Sequence, residues 1–300
     1  MKTLIAFIRL GRPLFLGGGF VLYALGAMIA AVSGHAIDPC RYALGQGAVT
    51  AFQLMTHYAN DYFDYDADLA NTTPTRWSGG SRMLLTGEIP RSAALIAALV
   101  LAAIGIAISV LLVRDGGMYL LPTLIAIVVL AWTYSAPPVR LCARGAGEIT
   151  TAIVVTGLVP WLAFSVQAPD LHGGSLVLLS IAPLAFLQIA MLLAIEFPDA
   201  DGDAATGKRT LVVRLGAERA AKLYVLLMTV AYLCLPVAAL LGVPTRVVIA
   251  ATVPAPLAAW RISRISEHTD PKAHERLTFF AVFLLVGTSV AELVAFGSLL

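Results

Sequence analysis

Two clusters of acidic residues are the parts of this chain best suited to chemistry. They cover residues 60–68 and 196–203 and hold eight of the eighteen acidic residues, four in each. In the first cluster Asn60, Asp64 and Asp68 recur every four residues, which places them on one face of a helix. Carboxylates aligned in this way repel one another unless a cation lies among them. Because Mg²⁺ prefers oxygen ligands and commonly bridges carboxylates to substrate phosphates, the spacing predicts a magnesium site.

Basic residues follow both clusters along the chain. Arg76 and Arg82 come after the first cluster, and Lys208 and Arg209 come after the second. Carboxylates, metal and basic groups together suit a diphosphate, because the metal neutralises its charge and the basic groups stabilise it as it leaves. The alternative for the basic residues is ordinary positive charge in cytoplasmic loops, and for the carboxylates it is a solvated helix end.

The composition indicates that these residues are held by an integral membrane protein. The chain is 59% hydrophobic and 13% charged, with a mean hydropathy of +0.86, whereas a soluble domain is about 25% charged. A carboxylate near the bilayer is unfavourable by roughly 2.5–3.5 kcal/mol, so clustered acids there are functional candidates. The three cysteines are scattered and suggest neither a disulfide framework nor a zinc site. No nucleic-acid partner is expected.

Hydropathy predicts an all-α protein with nine transmembrane helices in a single domain over residues 1–300. A bilayer core of about 30 Å requires roughly 20 apolar residues per helix. The predicted spans are 13–33, 42–61, 92–113, 117–135, 148–167, 175–196, 221–241, 246–263 and 277–299.

The distribution of Lys and Arg predicts the orientation. With nine spans, seventeen of these twenty residues fall on the side of the N-terminus, and Arg41, Arg114 and Arg246 fall on the other. Positive charge marks cytoplasmic loops, so we expect the N-terminus in the cytoplasm and the C-terminus outside. Both acidic clusters then face the cytoplasm, one after the second span and one after the sixth.

A diphosphate site at a membrane surface implies a substrate with a lipid tail. Ionisation of such a tail from its diphosphate leaves an allylic cation, which requires an apolar, aromatic chamber without water. His57 lies one turn before Asp61 on the second span. It is a candidate for orienting an aromatic substrate, with a hydrogen-bonded packing role as the alternative. Asp61 lies off the main acidic face, and a solvated role is its alternative to metal contact.

Several motifs resemble the UbiA superfamily of intramembrane prenyltransferases over nearly the whole chain. The segment Asn60–Asp64 with Asp68 matches the family's first motif, N-D-x-x-D-x-x-x-D, and Asp199 with Asp203 matches its second, D-x-x-x-D. Further matches lie outside the two acidic motifs. They are Gly207–Leu211 with Val213–Gly216 after the second motif, the pair Tyr134-Ser135, and Arg12-Pro13 before the first long span.

The resemblance implies nine transmembrane helices around a central cavity that is capped by cytoplasmic loops, in a bacterial or archaeal cell membrane. It implies that Mg²⁺ is bound by the catalytic Asp64, Asp68, Asp199 and Asp203 together with Asn60, with Asp61 and Glu196 as further candidates. It also implies a polyprenyl diphosphate as one substrate. The residues expected to bind that diphosphate are Arg12, Arg82, Tyr134, Ser135, Lys208 and Arg209.

The segments Ser78–Arg82 and Pro198–Asp201 look most like the 1,4-dihydroxy-2-naphthoate polyprenyltransferase branch of menaquinone synthesis. The expected acceptor is therefore aromatic. Relatives of that branch commonly carry Asn and Arg ahead of the second motif, where this chain has Glu196 and Pro198. Other acceptors remain open through the resemblance: 4-hydroxybenzoate, homogentisate, haem, chlorophyllide or a glyceryl lipid. A transporter or lipid carrier is the alternative from another class. Transporter sites usually lie near the bilayer midplane, whereas both acidic clusters lie at helix ends on one side, which argues against this alternative.

Overall fold

Helices account for all regular secondary structure in the computed structural model, which describes residues 2–300. Five stretches of the described residues depart from α geometry: a π-helical stretch at Ala152–Leu158 and 3₁₀ segments at Met118–Leu120, Leu141–Arg144, Ile265–Thr269 and Pro271–Ala273. The α-helices are α1 Lys2–Leu10, α2 Pro13–Val32, α3 Pro39–Phe63, α4 Tyr65–Ala70, α5 Arg91–Gly116, α6 Leu121–Ser135, α7 Gly147–Thr151, α8 Val159–Gln167, α9 Gly174–Glu196, α10 Ala200–Ala205, α11 Leu211–Leu215, α12 Ala217–Leu240, α13 Thr245–Thr252, α14 Ala255–Ser263 and α15 His274–Gly297.

The helix ends follow from local sequence. α3 begins at Pro39, where a missing N–H is harmless, and the Asp38 side chain accepts hydrogen bonds from the next two backbone N–H groups. Gly117 ends α5 with a φ of +116°, which glycine adopts without a Cβ clash, and the chain turns directly towards α6. The hydroxyl of Thr210 caps α11 by accepting from the N–H of Val213.

Seven helical segments of the described residues are long and apolar enough to cross a membrane. They coincide with seven of the nine predicted spans. The predicted span 42–61 is the helix α3, which carries several polar side chains along one face. The predicted span 246–263 is divided into α13 and α14 around Pro254, which lacks the N–H that a continuous helix requires. The count of nine stays a prediction.

Close helix contacts surround the centre of the bundle. α3 packs on α5, α2 on α8, and α15 on both α2 and α9. Glycines permit two of these approaches: a Cβ on Gly26 would collide with the backbone of Pro160, and one on Gly105 with the ring of Phe52. Small residues at such crossings are typical of membrane helices, where packing rather than water drives association.

The loops at one end of the bundle fold over the ends of α3 and α9. α4 and α10, which follow these two helices, pack on each other, and Gly202 lies against the backbone of Asn71. α1 lies beside them: it buries Ala6 and Leu10 against the loop residues Leu84 and Ile89. Its opposite side exposes apolar residues, as expected for a helix lying in a membrane interface.

Candidate active site

The two acidic clusters meet where α3 and α9 end. α3 ends at Phe63, so Asp64 stands at the junction with α4, and α9 ends at Glu196, shortly before α10. Lys208 lies between the clusters. Its Nζ is 2.9 Å from Asp64 Oδ2 and 3.2 Å from Asp203 Oδ1.

Asp64 and Asp203 each keep one carboxylate oxygen without a hydrogen-bond donor. Both side chains are buried, and Asp64 Oδ1 and Asp203 Oδ2 have no hydrogen-bond partner among the described residues. The guanidinium of Arg140 stands 3.7 Å from Asp64 Oδ1, at ion-pair distance. Asn60 supports the other oxygen, since its Nδ2 donates to Asp64 Oδ2 at 2.8 Å and to Ser135 Oγ at 3.1 Å.

Asp61 and Asp199 are placed differently, because loop groups donate to both of their oxygens. Asp61 Oδ1 accepts from Arg12 Nη2 at 2.6 Å, and the backbone N–H and hydroxyl of Ser81 donate to the same carboxylate. Asp199 accepts from Asn71 Nδ2 at 2.6 Å and from the N–H of Gly79 at 3.0 Å. These contacts fasten the loop after α4 to both clusters.

Burial and neighbouring charge shift the pKa values of this region. Burial raises the pKa of Asp68 to about 8, with the charge of Asp61 adding to the shift, and it raises the pKa of Asp203 to about 7. Burial alone would lower the pKa of Lys208, but Asp64 and Asp203 raise it well above its usual value. The lysine is therefore a permanent cation between the clusters.

The structure brings some, not all, of the residues predicted for the diphosphate to the cavity between the clusters. Arg12, Tyr134 and Lys208 line that cavity. Ser135 is fully buried behind them and is held by Asn60.

The other two predicted residues point elsewhere. Arg82 donates from Nη1 to the backbone carbonyl of Asp68 at 2.8 Å, outside the cavity lining. Arg209 is exposed, and its backbone N–H bonds to the carbonyl of Ala143. Their direct contact with a diphosphate stays a prediction.

We call the end of the cavity lined by Asn60, Asp64, Asp68, Asp199 and Asp203 the acidic head. Two residues near it were not predicted. Arg140 has a left-handed backbone, with a φ of +46°. Three of the four described non-glycine residues with positive φ are arginines at this head: Arg12, Arg82 and Arg140. Such conformations are strained and gather at functional sites. Glu148 is fully buried, and its Oε1 accepts from the N–H of Leu211 at 2.7 Å, which fastens the segment after Lys208 to α7.

Glu196, the departure noted in the sequence, lies at the end of α9 and lines the cavity. Glu148 is a neighbouring acid, and neither Glu196 Oε2 nor Glu148 Oε2 has a donor among the described residues. The two acids thus form a neighbouring pair next to the second cluster.

Below the acidic head the cavity becomes apolar and aromatic. Phe15, Phe52 and Trp77 are part of its wall, and the rings of Phe15 and Trp77 meet edge to face at 5.6 Å. His57 also lines it, and its Nδ1 lies 2.7 Å from the carbonyl oxygen of Gly11. One histidine nitrogen is therefore engaged by the backbone, and the ring is fixed at the cavity wall.

The residues at the head fit a magnesium ion by their chemistry. Asp64 and Asp203 offer anionic oxygens without donors, and Asn60 and Asp68 lie on the same side of the cavity. Within residues 2–300, no three acidic, histidine or cysteine side chains already stand at the spacing of a metal site. Lys208 occupies the space between Asp64 and Asp203 where a cation would bridge them.

Comparison with known proteins gives one consistent family. The UbiA prenyltransferase family matches residues 20–284. The digeranylgeranylglyceryl phosphate synthase of Thermococcus gammatolerans is 30% identical over 164 residues, which cover 54% of this chain and 52% of that relative. The match thus spans about half the length of this curated relative.

Solved structures share the fold across almost the whole chain. A digeranylgeranylglyceryl phosphate synthase has a TM-score of 0.66 at 16% identity, covering 99% of both chains. A UbiA homologue from Archaeoglobus fulgidus, bound to GPP and Mg²⁺, has a TM-score of 0.60 at 20% identity, covering 96% of this chain and 99% of the other. An apo UbiA homologue from Aeropyrum pernix K1 has a TM-score of 0.59 at 15% identity, covering 93% and 96%.

Proposed function

The chain belongs to the UbiA prenyltransferase family, and on this premise we propose that it transfers a polyprenyl group from polyprenyl diphosphate to an acceptor in a magnesium-dependent reaction. One observation carries the proposal. Asp64 and Asp203, which come from different clusters, both contact Lys208 and both line, with a donor-free oxygen each, a cavity whose wall is otherwise largely apolar and aromatic. A charged head and a hydrocarbon tail would each find a matching environment there.

The head of the site binds the diphosphate in this proposal. The residues that would hold magnesium are Asn60, Asp64, Asp68, Asp199 and Asp203. When bound, the metal supplies charge neutralisation of the diphosphate. Arg140 and Lys208 contact Asp64, and Arg12 contacts Asn60 and the neighbouring Asp61. These three cations stabilise negative charge on the leaving group as the bond to the prenyl carbon breaks.

The chamber below the head protects the prenyl group. Phe15, Phe52 and Trp77 present aromatic surface to it, and aromatic faces stabilise a cation through their electron density. Apolar walls exclude water, which would otherwise capture the allylic cation. Lateral entry of the tail from lipid is consistent with this arrangement.

For the acceptor we propose 1,4-dihydroxy-2-naphthoate. The motif likeness at Ser78–Arg82 supports this acceptor, and a histidine fixed at the cavity wall supports an aromatic ring beside it. In this reaction a C–C bond forms at the ring carbon that carries the carboxylate, which leaves as CO₂, and the product is a prenylated naphthohydroquinone.

A glyceryl lipid is the second candidate acceptor. The curated relative that matches half of this chain is named as a digeranylgeranylglyceryl phosphate synthase. The same head chemistry would serve it, with a hydroxyl oxygen rather than a ring carbon attacking the prenyl group. A transporter has no comparable support, because the family is one of prenyltransferases.

A transfer assay tests the proposal. The protein in lipid receives radiolabelled geranylgeranyl diphosphate and Mg²⁺, with 1,4-dihydroxy-2-naphthoate, 4-hydroxybenzoate or geranylgeranylglyceryl phosphate in parallel. We expect a labelled naphthohydroquinone that disappears with EDTA. Product with another acceptor alone would retain the mechanism and overturn the naphthoate acceptor. No diphosphate release with any acceptor would contradict prenyl transfer.

We further propose a single domain over residues 1–300 in the cell membrane, with the N-terminus and active site in the cytoplasm. The seventeen-to-three distribution of Lys and Arg supports this orientation. Labelling of Cys40, which is exposed in the first turn of α3, tests it: an impermeant thiol reagent should reach this residue from outside the cell. Protection there together with labelling in inverted vesicles would reverse the topology.

A further inference from the structure

The apolar part of the cavity contains one buried amide that nothing in the protein binds. Gln188 lies on α9 and lines the cavity with only 3% of its surface exposed. Its Oε1 is buried without a hydrogen-bond partner in the described chain. A buried amide oxygen without a donor is unfavourable, so the fold retains it against a penalty.

The other polar side chains along this part of the wall are satisfied by backbone. Each of them donates a hydrogen bond to a main-chain carbonyl, at 2.7 to 2.9 Å. They are Gln53, Thr56, Thr150, Thr151 and Ser289.

The position of Gln188 on its helix places it away from the acidic head. The cavity-facing stripe of α9 runs from Glu196 through Ile195, Leu192 and Met191 to Gln188. At 1.5 Å per residue, the eight residues from Glu196 to Gln188 correspond to about 12 Å. The amide is thus separated from the diphosphate head by two apolar turns.

The polyprenyl donor cannot satisfy this amide. Its tail is a hydrocarbon, and its diphosphate belongs to the head of the cavity. Of the two reactants, only the acceptor can therefore bring a polar group to Gln188. An amide both donates and accepts, and it is neutral, which suits a hydroxyl better than a charged phosphate placed among apolar side chains.

From this placement, and resting on the function proposed above, we propose that Gln188 binds a hydroxyl group of the acceptor and selects acceptors with an apolar, ring-shaped body. A rigid ring with its reactive carbon below the diphosphate extends towards Gln188, where its far hydroxyl donates to Oε1. A glyceryl phosphate would have to place its charge in the apolar zone or leave the amide without a partner.

The variant Gln188→Leu tests the proposal, since leucine has similar volume and no hydrogen-bonding group. The acceptors are 1,4-dihydroxy-2-naphthoate and its analogue in which the hydroxyl further from the carboxylate, on ring carbon 4, is methylated. We expect KM for the hydroxylated acceptor to rise about tenfold, the equivalent of one lost hydrogen bond. KM for geranylgeranyl diphosphate and for the methyl ether should stay unchanged, so discrimination between the two acceptors disappears.

Met191→Leu is the matched control, because it changes the same stripe of α9 without removing a polar group. Equal effects of Gln188→Leu on both acceptors, or on the donor, would show a merely structural role and overturn the proposal. So would unchanged discrimination in Gln188→Leu. Binding of the acceptor alone, followed by calorimetry without donor, provides a second readout in case turnover is lost. A wild-type protein that transfers to none of the acceptors would instead contradict the proposed function itself.

Discussion

Asp64 and Asp203 differ from Asp61 and Asp199 in what their oxygens contact, although each pair takes one member from each acidic cluster. The first pair shares Lys208 and keeps donor-free oxygens. The second pair is bound by loop groups on both oxygens. We call these the lysine-bridged pair and the loop-binding pair.

This difference shows that residue type and spacing locate the site but do not tell which carboxylates bind loops and which can bind a cation. A carboxylate whose two oxygens both accept from loop groups holds the protein's own loops in place, whereas one with a donor-free oxygen is open to an added cation. Asp199, which belongs to the family motif, is in the loop-binding pair here. In this protein a metal at Asp199 would therefore share the carboxylate oxygens with Asn71 and Gly79.

The largest expected effect comes from the lysine-bridged pair. Asp64→Asn or Asp203→Asn removes an anionic oxygen from the head while preserving the shape of the side chain. We expect turnover to fall about 1000-fold, equivalent to about 4 kcal/mol of transition-state stabilisation, in the magnesium-dependent transfer assay. Asp66→Asn and Asp201→Asn, at exposed acids of the same clusters, are the controls and should retain activity. Turnover above a tenth of wild type in Asp64→Asn would refute the assignment of this carboxylate.

Substitutions in the loop-binding pair should lower the stability of the fold more than they lower its activity. Asp61→Ala leaves Arg12, which is four-fifths buried, without its carboxylate partner. Breaking such a pair destabilises a fold by about 3 kcal/mol. We expect a lower midpoint of thermal unfolding in detergent, with activity below that midpoint reduced less than in Asp64→Asn. If Asp61→Ala and Asp64→Asn had the same midpoint of thermal unfolding, the proposed difference between the two pairs would be wrong.

Lys208→Gln tests whether the lysine neutralises the lysine-bridged pair in the absence of a metal ion. Without Mg²⁺, the variant leaves Asp64 and Asp203 close together with no ammonium between them. We expect a loss of about 2 kcal/mol in the free energy of unfolding, measured without metal, and recovery when Mg²⁺ is added. The wild type should gain less from Mg²⁺ than the variant does. The opposite order would show that the lysine does not stand in for a metal cation.

The smallest effect concerns pH. Burial raises the pKa of Asp68 to about 8 and that of Asp203 to about 7, so both carboxyls bind protons that a metal must displace. Affinity for Mg²⁺ should therefore fall as the pH drops from 8 to 7, by about tenfold for the two carboxyls together. Calorimetry at the two pH values, in buffers of different ionisation enthalpy, measures the affinity and the released protons. An affinity independent of pH would show that both acids are ionised before metal binds.

The helical framework was largely predictable because apolar length alone defines a membrane span. The predicted spans 148–167 and 175–196 differ by about one residue from Gly147–Gln167 and Gly174–Glu196. The family prediction is confirmed by the match over residues 20–284. The break between α13 and α14 was missed because averaging over a window hides the effect of a single proline.

The site was predictable in its location and not in its internal contacts. Periodicity placed Asn60, Asp64 and Asp68 on one face, but it could not show that Ser81, twenty residues later, would fill the oxygens of Asp61. Glu148 had a usable signal, since an acid at the start of an apolar span is a functional candidate by the same insertion argument that identified the clusters.

The three left-handed arginines have a consequence for attempts to engineer this protein. Each non-glycine residue held in that backbone region is unfavourable by about 1–3 kcal/mol, and glycine or asparagine at Arg12, Arg82 or Arg140 would relieve it. A screen that selects only for heat resistance would therefore tend to replace Arg140, because Arg12 is retained by its buried ion pair with Asp61 and Arg82 by its hydrogen bond to the backbone of Asp68. Replacement of Arg140 would remove a positive charge beside Asp64, so thermostability and turnover should oppose each other at this position.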